Sequence, residues 1–132
     1  MFIDSVVWIG AKLKRDQWHD KSIPIINKFL NKEINIVYVT DYIVLESVNF
    51  LLRKAGFEVA SETLNLFRIH ERIKIINVDD GLFERSCEIF AKYSGLSITD
   101  ASIIAAMEKV GTKKLYSFDG GFDKIKWVER MG

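Results

Sequence analysis

The hydrophobic residues of the chain fall into two alternating kinds of segment, short β-branched runs and longer amphipathic stretches. The short runs predict strands at residues 1–4, 34–40, 73–78 and 113–119, and a weaker strand at 126–128. Apolar residues at helical spacing predict helices over residues 21–32, 41–56, 57–72, 80–95 and 99–111. This alternation is typical of a parallel sheet with helices on both faces, so we predict one α/β domain over residues 1–132.

Composition narrows the class of protein. Hydrophobic residues make up 48% of the 132 residues, which is enough for a packed core. Lys and Arg total 19 against 18 Asp and Glu, so no overall positive field attracts nucleic acid, and a polyanionic partner needs a local patch or a bound metal. The only cysteine, Cys87, lies on an apparent helical face with Phe83 and Phe90, which predicts a core thiol. No stretch approaches the roughly 18 apolar residues of a membrane span, and no signal peptide is recognisable, so we expect a cytoplasmic protein.

Several predicted strands end in aspartate. Asp4 follows the first strand, and Asp119 follows the fourth within the stretch YSFDGG. Open α/β sheets bind ligands beyond the carboxyl ends of their strands, at the point where the strand order reverses. An apolar run followed by Asp-Gly is also typical of a tight turn, so Asp119 has a purely structural alternative. We interpret Asp41 and Asp79 as helix caps and Asp80 as a first-turn carboxylate facing the helix dipole.

Two further carboxylates lie in predicted helices. Ser97 precedes Asp100 by three residues, the spacing of a capping box, so local sequence supports a structural Asp100 as well as a functional one. Glu46 shares a helix face with Asn49 and Arg53, which is typical of a solvated polar stripe.

Four motifs occur in an order that resembles the PIN domain. They are FIDS at the first strand, VTDYIVLESVNFLL after the second, LSITDASIIAA at the start of a late helix, and LYSFDGGFDKI at a late strand end. In length and layout the chain is similar to the VapC-type toxins of prokaryotic toxin–antitoxin pairs. The resemblance covers essentially the whole chain and implies a three-layer α/β/α fold with a central parallel sheet in strand order 3-2-1-4-5. In that order the first and fourth strands are neighbours, which brings Asp4 and Asp119 together.

The resemblance also implies a metal-dependent ribonuclease that hydrolyses RNA phosphodiester bonds with Mg²⁺ or Mn²⁺. Four carboxylates match the positions that carry the chemistry in this family: Asp4, Glu46, Asp100 and Asp119. Asp4, Asp100 and Asp119 are expected to ligate metal, and Asp123 matches a further acidic position that the family fills less uniformly. Hard oxygen ligands of this kind suit both ions. Ser5, Thr99 and Ser117 are candidates for orienting ligands or phosphate, although each hydroxyl has an ordinary structural role as its alternative.

The partners implied are RNA, a second copy of the chain in a homodimer, and a small antitoxin protein, with no membrane. An antitoxin segment is expected to pack near Trp8, Phe50 and Leu51, which ordinary core packing explains equally well. Cations near the two ends of the chain could contact phosphates or lie on solvated faces, and we favour solvated faces for most of them. They are Lys12, Lys14, Arg15, Lys113, Lys114, Lys124 and Lys126.

Two other functions fit parts of the pattern. A PIN fold that binds RNA without cutting it would carry the same motifs. A phosphorylatable receiver domain is also a small α/β sheet, with Asp79 or Asp80 as its acceptor. Such a domain normally has a lysine followed by proline at its last strand, and the ending KWVERMG has no proline.

Overall fold

The computed structural model describes residues 1–132 as five strands, six α-helices and one 3₁₀ helix. The strands are β1 (Phe2–Ile3), β2 (Val37–Thr40), β3 (Ile73–Ile76), β4 (Lys114–Tyr116) and β5 (Glu129–Met131). The α-helices are α1 (Ser5–Lys12), α2 (His19–Leu30), α3 (Asp41–Ala55), α4 (Phe57–Ile69), α5 (Asp80–Lys92) and α6 (Ile98–Val110), and the 3₁₀ helix is Gly120–Lys124.

All five strands form one parallel sheet in the order β3-β2-β1-β4-β5, which confirms the predicted fold class. Strand order runs in one direction from β1 to β3 and in the other from β4 to β5. Parallel crossovers are right-handed, so a change of direction moves the connecting helices to the opposite face of the sheet. Helices α1 to α4 accordingly pack with one another, and α5 packs with α6. The reversal falls between β1 and β4, where Phe2 pairs with Leu115 and Ile3 with Tyr116.

The core explains why so short a strand as β1 is stable. Phe2 and Ile3 are fully buried at the centre of the sheet, and the indole of Trp8 donates to the carbonyl of Ile3 at 3.1 Å. The central part of helix α6 is mostly apolar, and residues 101–107 are all buried. Because α6 lies inside the molecule, the residues at its beginning are held in a fixed position.

Four of the six α-helices, α1, α3, α5 and α6, begin with a side-chain cap, and one cap differs from the prediction. Asp79 caps α5 as predicted, since its Oδ1 accepts the Leu82 N–H at 2.9 Å. Helix α3 is capped by Thr40 instead of Asp41. Asp41 is the first residue of α3, and its Oδ1 accepts the N–H of Val78 at 3.0 Å. Asp41 therefore joins α3 to the end of β3, a contact that local sequence does not reveal.

Two elements depart from the predicted pattern. Helix α1 was not among the predicted helices, because its segment SVVWIGAK is buried on most sides and lacks a polar face with helical period. The last strand is Glu129–Met131, so the strand predicted at 126–128 was wrong. Trp127 and Val128 are apolar because they pack on the core, whereas β5 is a polar edge strand held by backbone pairing to β4.

The surface also differs from expectation around Cys87. Phe83 and Phe90 are about half exposed and Cys87 is partly exposed, so the predicted core thiol was wrong; α5 instead buries Leu82, Ser86 and Ile89. Trp8 and Leu51 are buried core residues, which decides their two interpretations in favour of the core. No helix has the length and apolar character needed to span a membrane.

Candidate active site

Asp4 lies at the centre of the candidate site, between β1 and α1. Its backbone N–H donates to the carbonyl of Tyr116 at 3.0 Å, which ties it to β4. Its Oδ1 caps α1 by accepting the Ser5 N–H at 2.7 Å, and its Oδ2 accepts the Ser117 hydroxyl at 2.8 Å. The residue is only 5% exposed. Both carboxylate oxygens are therefore fixed, one by Ser5 at the start of α1 and the other by Ser117 just after β4.

The pKa of Asp4 is raised to about 6, first because burial removes water from the charged form. The Ser117 hydrogen bond opposes this rise, and the negative charges of Asp100 and Glu46 add to it. Glu46 of α3 and Asp100 of α6 therefore lie near enough to Asp4 for their charges to act on it. The structure thus brings three of the predicted catalytic residues into one electrostatic group.

Glu46 reaches the site through Ser5. The Ser5 hydroxyl donates to Glu46 Oε1 at 2.9 Å and lies 3.4 Å from Asp4 Oδ1. Glu46 projects from the first half of α3 and remains exposed to solvent. Ser5 is itself buried, so its role as a bridge between two carboxylates fits the predicted orienting role.

Asp100 has the structural role that the sequence offered, and its charge also interacts with those of other carboxylates. It completes a capping box at the start of α6, accepting the Ser97 N–H at 3.2 Å while the Ser97 hydroxyl accepts the Asp100 N–H at 3.0 Å. Burial raises the pKa of Asp100, and the charges of Asp119 and Glu46 raise it further. Capping has therefore not removed Asp100 from the acidic group.

Asp119 stabilises a turn and also contacts Ser117 of the candidate site. Its Oδ1 accepts the Gly121 N–H at 2.8 Å and caps the 3₁₀ helix, while its own N–H donates to the Ser117 hydroxyl at 3.1 Å. A Cβ at Gly121 would lie 3.1 Å from that Oδ1 and 3.3 Å from the carbonyl of Gly95. The second glycine of YSFDGG thus allows a close approach of the chain to this carboxylate.

Ser117, one of the three candidate orienting hydroxyls, links two of the aspartates. It is fully buried, donates to Asp4 and accepts from the Asp119 backbone, so it joins the two aspartates at the sheet reversal. Thr99, the third candidate hydroxyl, makes no side-chain hydrogen bond; only its carbonyl is engaged, by Ser102.

Asp123 is held apart from this group by an arginine that the sequence analysis missed. Arg130 forms two hydrogen bonds with its carboxylate, Nε to Oδ1 at 2.8 Å and Nη2 to Oδ2 at 3.0 Å, and a third to the Ser117 carbonyl at 3.0 Å. These bonds lower the pKa of Asp123. The register of β5 against β4 places Arg130 opposite Leu115, and only the strand pairing could have revealed this contact.

The candidate ligands are of the type that a hard divalent cation prefers, but their side chains are not yet placed to surround an ion. Every candidate ligand is a carboxylate oxygen, and buried Asp4 with its acidic neighbours forms a site that a cation would neutralise. With the side chains as they stand, no three His, Cys, Asp or Glu residues are grouped closely enough to hold an ion. Asp100 uses Oδ2 to accept from Ser97, which leaves its Oδ1 for an ion. Both oxygens of Asp123 are bonded to Arg130, so ligation by Asp123 requires its side chain to turn.

The fold and this arrangement define a class of protein. The sequence matches the PIN domain family over residues 1–128, nearly the whole chain, so the chain belongs to the PIN domain family. No curated protein sequence matches it.

Solved structures show the same fold in toxins. The chain is similar to Mycobacterium tuberculosis VapC20, a toxin that cleaves the sarcin-ricin loop, with a TM-score of 0.82 at 22% identity over 97% of this chain and 96% of that one. A toxin–antitoxin complex from Klebsiella pneumoniae matches with a TM-score of 0.71 at 16% identity over 97% and 94% of the two chains. VapBC2 of Rickettsia felis, bound to a promoter DNA fragment, gives 0.71 at 14% identity over 98% and 96%.

Proposed function

We propose that the chain is a metal-dependent endoribonuclease and the toxin of a VapBC-type pair. The observation that carries the proposal is the group of carboxylates at the sheet reversal, where buried Asp4 feels the charges of Asp100 and Glu46 and Asp100 feels that of Asp119. A merely structural set of caps would have no reason to converge. Membership of the PIN domain family and the fold shared with VapC20 support the same function.

Each carboxylate has a proposed role. Asp4, Asp100 and Asp119 would hold Mg²⁺ or Mn²⁺, with Asp123 joining them if it leaves Arg130. When bound, the ion supplies positive charge that acidifies a water and stabilises the developing charge on phosphate. Glu46 is exposed and has one oxygen engaged by Ser5, so its other oxygen is free to orient the attacking water. Ser5 and Ser117 would hold the carboxylates of Asp4 and Glu46 in position through their hydrogen bonds.

Cleavage assays test this proposal directly. A mixed single-stranded and structured RNA should be cut with Mg²⁺ or Mn²⁺ and left intact with EDTA. Asp4→Asn, Asp100→Asn and Asp119→Asn should each lower the rate by orders of magnitude. Asp80→Asn is the matched control, because Asp80 is an exposed first-turn residue of α5 outside the site. Full cleavage in EDTA would contradict the proposal, and RNA binding without cleavage would favour a non-catalytic PIN protein.

We propose a homodimer and an antitoxin as the partners. Exposed apolar side chains on neighbouring helices α3 and α4 support self-association: Leu45, Leu52, Phe57 and Ile69, the last two 77% exposed. Light scattering over a range of concentrations should give twice the chain mass, and Phe57→Ser should shift the equilibrium toward monomer. A strictly monomeric wild-type protein would contradict the dimer. We expect an antitoxin because a ribonuclease with this acidic site must be kept inactive in the cell that produces it.

A further inference from the structure

An aromatic pair borders the carboxylates on the side of the α1–α2 connection. The rings of Trp18 and Phe118 stack with centroids 4.7 Å apart and an angle of 18° between their planes. Both side chains are partly exposed. Phe118 stands between Ser117, which is bonded to Asp4, and Asp119. The stacked pair is therefore joined through the backbone at Phe118 to two residues of the candidate active site.

A cationic pocket adjoins the same pair. It has a volume of about 440 Å³ and is lined by Leu13, Lys14, Arg15, Asp16, Phe50 and Lys54. Three of these six residues are cationic and one is acidic. The acidic one, Asp16, uses its Oδ1 to accept the backbone N–H of Trp18 at 2.9 Å, which joins the pocket to the aromatic pair.

Helix α3 gives a second connection between pocket and carboxylates. Glu46, Phe50 and Lys54 are spaced four residues apart and so share one face of the helix. At 1.5 Å per residue, Phe50 is about 6 Å and Lys54 about 12 Å along the axis from Glu46. Helix α1 packs on α3, begins at Ser5 in the site and leads into the pocket residues that follow Lys12. The pocket therefore lies within two or three nucleotides of the carboxylates.

The chemistry of this surface matches a single nucleic-acid strand. The chain carries a net charge of only +1, yet Lys14, Arg15 and Lys54 gather at the pocket and Lys21 Nζ lies 5.4 Å from the Trp18 ring centroid. Phosphates approaching an acidic site need such neighbouring cations. Proteins that bind single strands combine cations along the backbone with aromatic rings on which bases stack. A peptide would need acidic side chains at matching places, whereas a strand carries a charge at every nucleotide.

We infer that the Trp18–Phe118 pair and the cationic pocket hold single-stranded RNA beside the carboxylates, the pair by stacking on a base and the pocket by contacting phosphates. The choice of RNA as the polymer rests on the proposed ribonuclease function. Lys21 covers the Trp18 ring with a flexible side chain, which turns toward a phosphate when a base takes its place.

Fluorescence anisotropy of a fluorescein-labelled oligouridylate tests the inference, with the full chain in EDTA so that binding is measured without cleavage. Trp18→Ala should weaken binding roughly 5- to 100-fold, the loss of one stacked base, and Trp18→Phe should restore most of it. Lys14→Ala with Arg15→Ala should lower the slope of log K against log salt by about 1.4, since each phosphate contact on a single strand contributes about 0.7. Unchanged thermal melts show that each variant is folded.

Matched variants elsewhere control for general effects. Lys28→Ala with Lys74→Ala removes the same charge from exposed cations on α2 and β3, and Phe90→Ala removes an exposed ring from α5; both should bind like wild type. The inference is overturned if the control variants lose as much RNA affinity as the test variants. It is also overturned if the Trp18 and pocket variants bind RNA as tightly as wild type, or if wild type does not bind it. Loss of binding to an antitoxin peptide alone would assign the surface to a protein partner and overturn it too. Binding as expected without any cleavage in Mg²⁺ would remove the ribonuclease proposal and leave the inference standing.

Discussion

Asp4 is a buried carboxylate whose ionisation opposes folding. Its pKa rises from 3.8 in the unfolded chain to about 6 in the fold, so between these values the folded state holds a proton that the unfolded state has released. Its contribution to stability is complete below about pH 4 and is lost as pH rises through about 6. The full shift corresponds to about 3 kcal/mol at neutral pH.

Asp4→Asn should remove this pH dependence. The metal-free variant at pH 7 should unfold with a free energy equal to that of wild type or up to about 3 kcal/mol higher, because asparagine still caps α1 and carries no charge. Between pH 4 and 6 the free energy of unfolding should fall less steeply than in wild type. Urea titrations across this range measure both quantities, and a variant less stable than wild type at every pH would show that the Asp4 charge is not repelled.

Ser117 tunes the carboxylate that it contacts. Its hydrogen bond lowers the pKa of Asp4, so Ser117→Ala should raise that pKa further above 6. The acid limb of the pH–rate profile for cleavage should then shift to higher pH, and Ser117→Thr should bring it back. A variant that loses rate equally at all pH values would instead indicate a general disturbance of the site.

At the scale of single residues, the sequence pointed to the carboxylates and to the serines that contact Asp4, but gave no sign of Arg130 or Trp18. Asp4 and Asp119 are identifiable because each directly follows an apolar run and the motif order matches a family. Arg130 and Trp18 give no such signal. Their importance depends on β5 pairing with β4 and on the path of the α1–α2 connection, which are long-range features of the fold.

Helices α1 and α2 make close contact through a glycine and a serine. A Cβ at Gly10 would lie 2.5 Å from Ser22 Oγ and 3.3 Å from the backbone of Trp18. The Ser22 hydroxyl is fully buried and has no hydrogen-bond partner. Gly10→Ala should therefore destabilise the fold by about 1–3 kcal/mol through overpacking.

Substitution of the serine supplies the control for this contact. Ser22→Ala should be neutral or slightly stabilising, because it removes an unsatisfied buried hydroxyl. The double variant should recover part of the loss caused by Gly10→Ala, since the atom at 2.5 Å is gone. Thermal unfolding of the two single variants and the double variant gives the coupling, and strictly additive values would mean that the Trp18 backbone is the obstacle.

Helix α6 begins with a cap that shares its carboxylate with the acidic group. Ser97→Ala should lower metal-free stability by about 1 kcal/mol, while the rise in Tm on adding Mn²⁺ should be kept or enlarged because Asp100 is released. Ser97→Thr should restore the cap. Melts with and without Mn²⁺ measure both effects. A Ser97→Ala protein that no longer responds to Mn²⁺ would show that the cap is needed to present Asp100.

Among the helices and strands, the spacing of apolar residues identified the elements that have one polar and one apolar face. It failed for elements without two such faces. Helix α1 is buried nearly all round, and β5 is polar and short, so hydropathy describes neither. The helices that follow β2 and β3 were predicted within a few residues because caps and amphipathic faces are local properties.

The whole molecule should respond to divalent cations through its repelling carboxylates. The Tm of wild type should rise with the logarithm of free Mn²⁺ above its dissociation constant, because the ion binds the folded state and offsets the repulsion. Asp119→Asn should reduce this rise without lowering metal-free stability by more than the loss of a turn. If Mn²⁺ leaves the wild-type melt unchanged, the carboxylates are structural.

Strand order lies beyond local sequence. Alternating strands and helices predict a parallel sheet, but the order 3-2-1-4-5 followed only from the resemblance to a known family. Many parallel orders bury the same strands equally well, and the choice depends on how all the helices pack at once.

The hydrogen bond between Asp4 and Ser117 joins residues 113 positions apart. During vectorial synthesis β1 leaves the ribosome long before its neighbour β4, because β2, β3 and all six α-helices lie between them in the chain. The nascent chain thus carries Asp4 and Glu46 long before Asp100 and Asp119 exist, and contacts of such wide separation form late in folding. A polypeptide whose translation stops before Asp100 lacks half of the acidic group and cannot assemble the site.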